Sequence, residues 1–157
     1  VRVNTYYVRG FTAATAATAN HVIAELWNPG TLSGRRIEVV EIAIFKAGAG
    51  TANDSIFLER TTAKGTSGST VTPDADNAGQ ADSTPPSGAT LELAAFTVQP
   101  TLASPGMYGW VAPAVAGAGI IIPIPRVIVV PAGTGLAIVQ RAATIWPTSE
   151  VSIVFED

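Results

Sequence analysis

The stretch GIIIPIPRVIVVPAGTGLAIVQ, from Gly119 to Gln140, decides the fold class. It holds three short apolar runs, over 120–124, 127–130 and 136–139, separated by proline and glycine. β-branched Ile and Val dominate these runs, which favours strands over helices. Pro123, Pro125 and Pro131 each break a helix, and a proline inside a sheet is confined to an edge, a strand start or a bulge. Pro131-Ala132-Gly133-Thr134-Gly135 has the chemistry of a tight reversal, because proline fixes one φ angle and glycine supplies positive ones. The stretch reads as a buried, proline-punctuated β-hairpin region, with 120–130 assigned to the core or to a seam between subunits.

The segments on either side follow the same grammar. Residues 3–8 are rich in strand formers and read as a first strand or an arm. The low-complexity run TAATAATAN, 12–20, has no apolar face and reads as an extended linker. Residues 22–27 form a strand ended by Asn28-Pro29-Gly30, and 36–46 alternate except at Val39-Val40, where the break predicts a bulge or a switch of face. Residues 56–60 are expected to pair with 36–46 as a hairpin. Residues 61–88 form a long polar loop, 90–98 and 107–111 are strands, and 150–155 alternate as the last one. About eight to ten short strands without an amphipathic helix predict an all-β fold, a two-sheet antiparallel sandwich of jelly-roll type with one long polar loop. The domain plan is an N-terminal strand or arm at 1–20 and a single sandwich domain at 21–157.

Composition narrows the function. Charged residues make up 13% of the 157-residue chain, about half the usual share, against 47% apolar residues and a mean hydropathy of +0.33. So few charges leave much of a free surface poorly solvated, which predicts that other subunits or a partner cover part of it. A net charge of −3 with nine scattered Lys and Arg argues against a nucleic-acid ligand. The absence of Cys removes disulfides and thiolate metal sites, and a single His builds no zinc site unaided. No signal peptide is expected from the first residues given, and the apolar run near 120–130 is too short and too interrupted to cross a bilayer. No nucleic acid, membrane or cofactor is expected as a ligand.

Each candidate for chemistry meets a plainer explanation. His21 has no sequence-visible partner and reads as a structural histidine. Asp74, Asp76 and Asp82 with Asn77 share one loop, but the calcium-loop spacing is missing, so a solvated loop is the reading. Glu38 and Glu41, with Glu25 and Glu59, are candidates for a glycosidase carboxylate pair; spaced three apart, Glu38 and Glu41 face opposite sides of a regular strand. They are expected to face solvent or to pair with Arg35, Arg36 or Arg60. Gly65-Thr66-Ser67-Gly68-Ser69-Thr70 lacks the lysine and helix of a phosphate loop. Among the aromatic residues, Trp27 and Trp110 read as core or interface, whereas Trp146 is expected to be exposed. No catalytic or metal residue is assigned.

Several segments resemble a group of small structural proteins of tailed phages, the capsid decoration (cement) proteins and related all-β virion proteins. The resemblance is carried by Glu25-Leu26-Trp27-Asn28-Pro29, by Arg36-Ile37-Glu38-Val39 through Ile44-Phe45, and by Gly65 to Pro73 (GTSGSTVTP). Pro85-Pro86-Ser87-Gly88-Ala89, Phe96 to Leu102 (FTVQPTL) and Pro131 to Leu136 (PAGTGL) complete it. The resemblance implies a non-enzymatic subunit, commonly a homotrimer, made in the host cytoplasm and seated on the exterior of a virion. There it clamps neighbouring copies of the major capsid protein. On this reading Val3, Tyr6, Tyr7, Arg9, Lys64, Val71, Pro73 and Trp146 contact capsid or sister subunits. The alternatives are a phage tail, fibre or baseplate component and a carbohydrate-binding β-sandwich module.

Overall fold

The structure is a computed structural model that describes residues 4–30, 34–77, 79, 82–103, 106–122, 124 and 126–157. Val3, Pro123 and Pro125 lie outside the described residues. Among those described, none is helical, and two antiparallel sheets pack as a sandwich. The strands are β1 (Thr5–Thr12), β2 (Val22–Asn28), β3 (Ile37–Lys46), β4 (Asp54–Ala63), β5 (Thr66–Val71), β6 (Asp74–Ala75) and β7 (Thr90–Val98). They continue with β8 (Thr101–Leu102), β9 (Tyr108–Ala112), β10 (Gly119–Ile122), β11 (Ile128–Val130), β12 (Thr134–Gln140) and β13 (Ser149–Glu156). The first sheet runs β10-β3-β13-β1-β6, with β11 also on β3; the second runs β5-β7-β2-β12-β4-β8, with β9 also on β4.

β13 is the simplest case of a sequence dictating its strand. SEVSIVFE buries Ser149, Val151, Ile153 and Phe155 and leaves their neighbours half-exposed, a strict period of two. It pairs with β1 from Thr5↔Glu156 to Thr12↔Ser149, and with β3 from Ser149↔Lys46 to Glu156↔Glu38. The inner faces of both sheets supply one core, in which Tyr6, Val8, Ile37, Ile42, Ile44 and Phe155 meet Ile23, Leu26, Ile56, Leu58, Leu91 and Ile138. The Tyr6 and Phe155 rings stack within it at 5.8 Å. The predicted break in β3 is a bulge: Val154 faces Glu41 and Phe155 faces Val39, so Val40 is the extra residue.

Three expectations are corrected. Residues 37–46 and 56–60 do not form a hairpin: β3 lies in the first sheet, and β4 pairs with β12 and β9 in the second. β3 and β4 each put one face against the core shared between the sheets. The 120–130 region is not a hairpin either. β10 and β11 both lie along β3, from Gly119↔Phe45 to Ile122↔Ile42 and from Ile128↔Val39 to Val130↔Ile37. The reversal at 131–135, with Gly133 at φ 75° and Thr134 N–H donating to Pro131 C=O, carries the chain across to the second sheet. The stretch 61–88 is not one loop, since it holds the end of β4, all of β5 and β6. Of the two readings of the N-terminal residues, strand and arm, β1 is the strand, paired over all eight residues with β13.

The low-complexity segment 13–20 has no ladder of its own; Ala13 N–H donates to Ala94 C=O at 2.8 Å and Thr15 N–H to Trp146 C=O at 2.9 Å, and one side chain gathers the rest. Gln140 is fully buried at the end of β12. Its amide donates to the carbonyls of Ala16 (3.0 Å), Thr18 (2.8 Å) and Thr144 (2.8 Å), and its Oε1 accepts from the Thr15 hydroxyl. Trp146 N–H in turn donates to Thr15 Oγ1 at 3.0 Å. Gln140→Leu removes these bonds, leaving the buried Thr15 hydroxyl without its acceptor and the part-buried carbonyls without their donor. Chemical denaturation is expected to show a loss of about 2–4 kcal/mol, the scale of one or two buried polar groups stranded.

Candidate functional site

Two places on the molecule carry chemistry that the core does not require. The first is the outer face of the first sheet. Odd-numbered residues of β1 turn outward, and register across β13, β3 and β10 sets them in rows. One row is Phe11, Glu150, Phe45 and Gly119; the next is Arg9, Ser152, Ala43 and Ile121; a third holds Tyr7, Val154 and Glu41. Phe11 is 60% exposed, Ile121 58%, Tyr7 42% and Phe45 41%, so four large apolar side chains stand in water on one face. The Phe45 ring occupies the place a side chain at 119 would take, which is why glycine stands there. Carboxylates are interleaved with them. Glu150 pairs with Arg9 at 3.2 Å and Glu38 with Arg36 at 3.1 Å, both in the open. The Val40 bulge brings Glu38 and Glu41 to this same face, correcting the expectation that they point opposite ways.

At the β6 end of this face lies a cleft of ≈ 440 Å³ lined by Tyr7, Val8, Arg9, Val71, Thr72, Asp74 and Ser152. It gathers three of the residues expected at an interface, Tyr7, Arg9 and Val71. The others are elsewhere. Tyr6 and Pro73 are buried, and Lys64 is bound within the chain to Glu92 at 2.8 Å. Trp146 is 2% exposed, which corrects the expectation that it is open to solvent. Its indole N–H donates to Ser149 Oγ at 2.7 Å, and Lys46 Nζ sits 4.4 Å from its ring centroid. A proline after Trp146 suggested an exposed turn; a nearby hydroxyl and a cation made burial of the ring affordable. His21 contacts Gln99 through Nε2 at 2.7 Å, and burial lowers its pKa.

The second place is a row of carboxylates on the outer face of the second sheet. Glu59, Ala137, Glu25 and Glu92 stand side by side on β4, β12, β2 and β7. An outward carboxylate is ordinarily solvated, yet all three glutamates are buried. The chain leaving β4 crosses over this face at Lys64 and Gly65 on its way to β5 at the far edge. Gly65 is pinned there, since a Cβ would lie 2.7 Å from the Pro100 ring and 2.8 Å from Phe96. Glu25 accepts from the Thr61 hydroxyl at 2.5 Å and from Gly65 N–H at 3.1 Å. Glu92 accepts from Lys64, Thr90, Thr70 and Ser67 at 2.6–2.9 Å.

The environments split the pair. Burial raises the pKa of Glu25 despite its two hydrogen bonds, with the facing Glu92 adding to the rise. Burial also pushes Glu92 upward, but Lys64 and the three hydroxyls outweigh it and its pKa falls below the ordinary value. Glu59 is raised by burial, against the opposing pull of Arg141, and its Oε1 has no hydrogen-bond partner. Sequence reasoning named Glu25 and Glu59 but missed Glu92. Its signal was the polar position in Thr90-Leu91-Glu92-Leu93, which marks it as outward without showing that the chain covers it. Among the described residues no group of three or more His, Cys, Asp or Glu is arranged to hold a metal ion. The row acts as a hydrogen-bonded clasp for the crossing. No family model, no curated protein and no solved structure matches this chain.

The clasp sets a pH dependence. A carboxyl with a raised folded pKa contributes stability that is complete below its unfolded value, near 4.5, and is lost as pH rises through the folded pKa. Glu92 has the opposite sign: its contribution is present above 4.5 and lost as pH falls through the depressed folded pKa. Glu25→Gln mimics the protonated acid, so thermal melts are expected to match the parent near pH 5 and exceed it at pH 8. Glu25→Ala strands the Gly65 N–H and the Thr61 hydroxyl and is expected to cost about 1–3 kcal/mol at both pH values.

Proposed function

We propose that this chain is a non-enzymatic virion subunit, a phage capsid decoration (cement) protein that docks through the outer face of its first sheet onto neighbouring major capsid proteins. The observation that carries the reading is the set Tyr7, Phe11, Phe45 and Ile121, exposed together on one side of a charge-poor molecule. Aromatic side chains on a rigid sheet are strong anchors, because they bury much area with little entropy loss. The surrounding carboxylates, Glu41, Glu150 and Glu156, suit a partner surface with apolar pockets and a basic rim. Docking across a capsomer boundary adds interface that must be broken before the shell opens, which is how such a subunit strengthens it.

The strand path supports the same family of architectures. β1, β13, β3 and β10 face β2, β12, β4 and β9, and the chain alternates between sheets from β1 to β4 and again from β9 to β13 apart from the paired β10 and β11. We read this path as jelly-roll-like, with β5 to β8 inserted between the fourth and fifth strands of that scheme. A sugar-stacking platform is less well supported: Trp146 is buried, and Trp27 and Trp110 are partly buried, Trp110 tilted against Tyr108 at 6.1 Å.

Light scattering and co-sedimentation with purified shells test the proposal. A trimer that pellets with shells is expected. A monomer that stays in the supernatant contradicts it. Phe11→Ser with Phe45→Ser is expected to weaken shell binding about 30-fold or more, the effect of losing roughly 2 kcal/mol of anchor contacts. The melting temperature of the free protein should hardly change, since neither ring is in the core.

A further inference from the structure

The cleft beside β1 is the end of an unfinished sheet. Asn4 exchanges backbone hydrogen bonds with Asp157 on the β13 flank, at 3.4 and 3.0 Å, while Thr5 C=O accepts from Asp76 N–H on the opposite flank at 3.0 Å. Backbone groups along an antiparallel strand alternate sides, so even-numbered residues of β1 address β13 and odd-numbered ones address the β6 flank. β6 covers that flank only at Tyr6↔Ala75 and Tyr7↔Asp74. Its extension is stopped by Pro73, where the chain arrives from β5 in the other sheet. Among the described residues no strand pairs with β1 on this flank between Tyr7 and Thr12, after which Ala13 N–H donates to Ala94 C=O of β7 at 2.8 Å. The N–H and C=O of Arg9 therefore point toward the cleft, whose walls are Val71, Thr72 and Asp74.

We infer that this flank of β1 accepts an extended polypeptide strand from a partner, which continues the ladder that β6 begins. The inference rests on the docking reading for the partner's identity, and names the chemistry of the contact. Beyond the β6 pair at Tyr7, the backbone groups of Arg9 and Phe11 repeat at about 6.8 Å, a spacing that another extended backbone matches directly. Side-chain preferences follow from the faces. A residue set opposite Arg9 stands on the outer face beside its guanidinium, which engages Glu150 through Nε at 3.2 Å and keeps a side chain 65% exposed. With five donors on the guanidinium, an acidic residue is favoured there. The residues before and after it turn inward over Val8 and Val71, and apolar β-branched side chains suit them.

The probe is the acetylated, amidated peptide SVEVTS, with SVKVTS as its control. Hydrogen exchange followed by NMR is expected to show the Arg9 amide slowed at least 10-fold at saturating SVEVTS, and SVKVTS binding at least 5-fold more weakly. Thr72→Trp, at an exposed position on the cleft rim, is expected to remove the protection with the circular dichroism unchanged. Unchanged exchange of Arg9 at millimolar peptide, equal binding of the two peptides, or full protection in the Trp variant each overturns the inference. The two readings separate cleanly. If shells leave the protein in solution while SVEVTS protects Arg9, the docking reading falls and the strand-accepting edge stands. If shells sediment the protein while Arg9 stays unprotected by peptide, the edge falls and docking stands.

Discussion

The pairing of β13 with β1 on one side and β3 on the other is the constraint on which the rest of the first sheet depends. It joins the two ends of the chain through a continuous ladder and fixes the parity of every residue on both faces. A slip of one residue in β13 sends Val151, Ile153 and Phe155 to the outside, so the core enforces the register. With that register set, Tyr7, Arg9 and Phe11 have no choice but to face outward. The exposed apolar face is thus a consequence of packing the opposite one, and its cost in solvation is what a partner can recover.

The second sheet solves its outer face differently. Its outward positions carry Val22, Phe57, Ala94, Phe96, Ala137 and Val139, a second apolar cluster, beside the three glutamates. The chain itself covers this side: Lys64 and Gly65 cross above Glu25 and Glu92, and Gly106 lies against the Phe57 ring. The crossing residues bring their own donors, so the carboxylates are buried with partners rather than alone. Glu59 Oε1 is the exception, and the raised pKa of that group is the expected response of a carboxyl buried with one oxygen unmet.

Much of the fold was legible in the sequence because strands with one buried face announce themselves by alternation. β13 and β3 were read from that period alone, and the break at Val39-Val40 marked a bulge or a switch of face. Pairing was not legible. Ile56 to Arg60 follows β3 closely and suggested a hairpin, but which sheet a strand joins is decided by face-to-face packing across the sandwich, and period two is silent on it. Burial produced by a covering segment was equally hidden, which is why Glu92 was missed and Trp146 misplaced. Of the β1 residues expected at an interface, Tyr6 is set in the core by its parity. Tyr7 and Arg9, one residue to each side of the next inward position, face the cleft.

A molecule with one sheet face covered by its own chain and the other left open has a definite polarity, and the account rests on that asymmetry. Hydroxyl-radical footprinting of the free protein and of the protein bound to shells tests it most directly. The account predicts that Tyr7, Phe11, Phe45 and Ile121 lose their reactivity on binding while exposed residues remote from that face, such as Val98 and Val111, keep theirs. Loss of reactivity at Val98 and Val111 with Phe11 and Phe45 unchanged contradicts it.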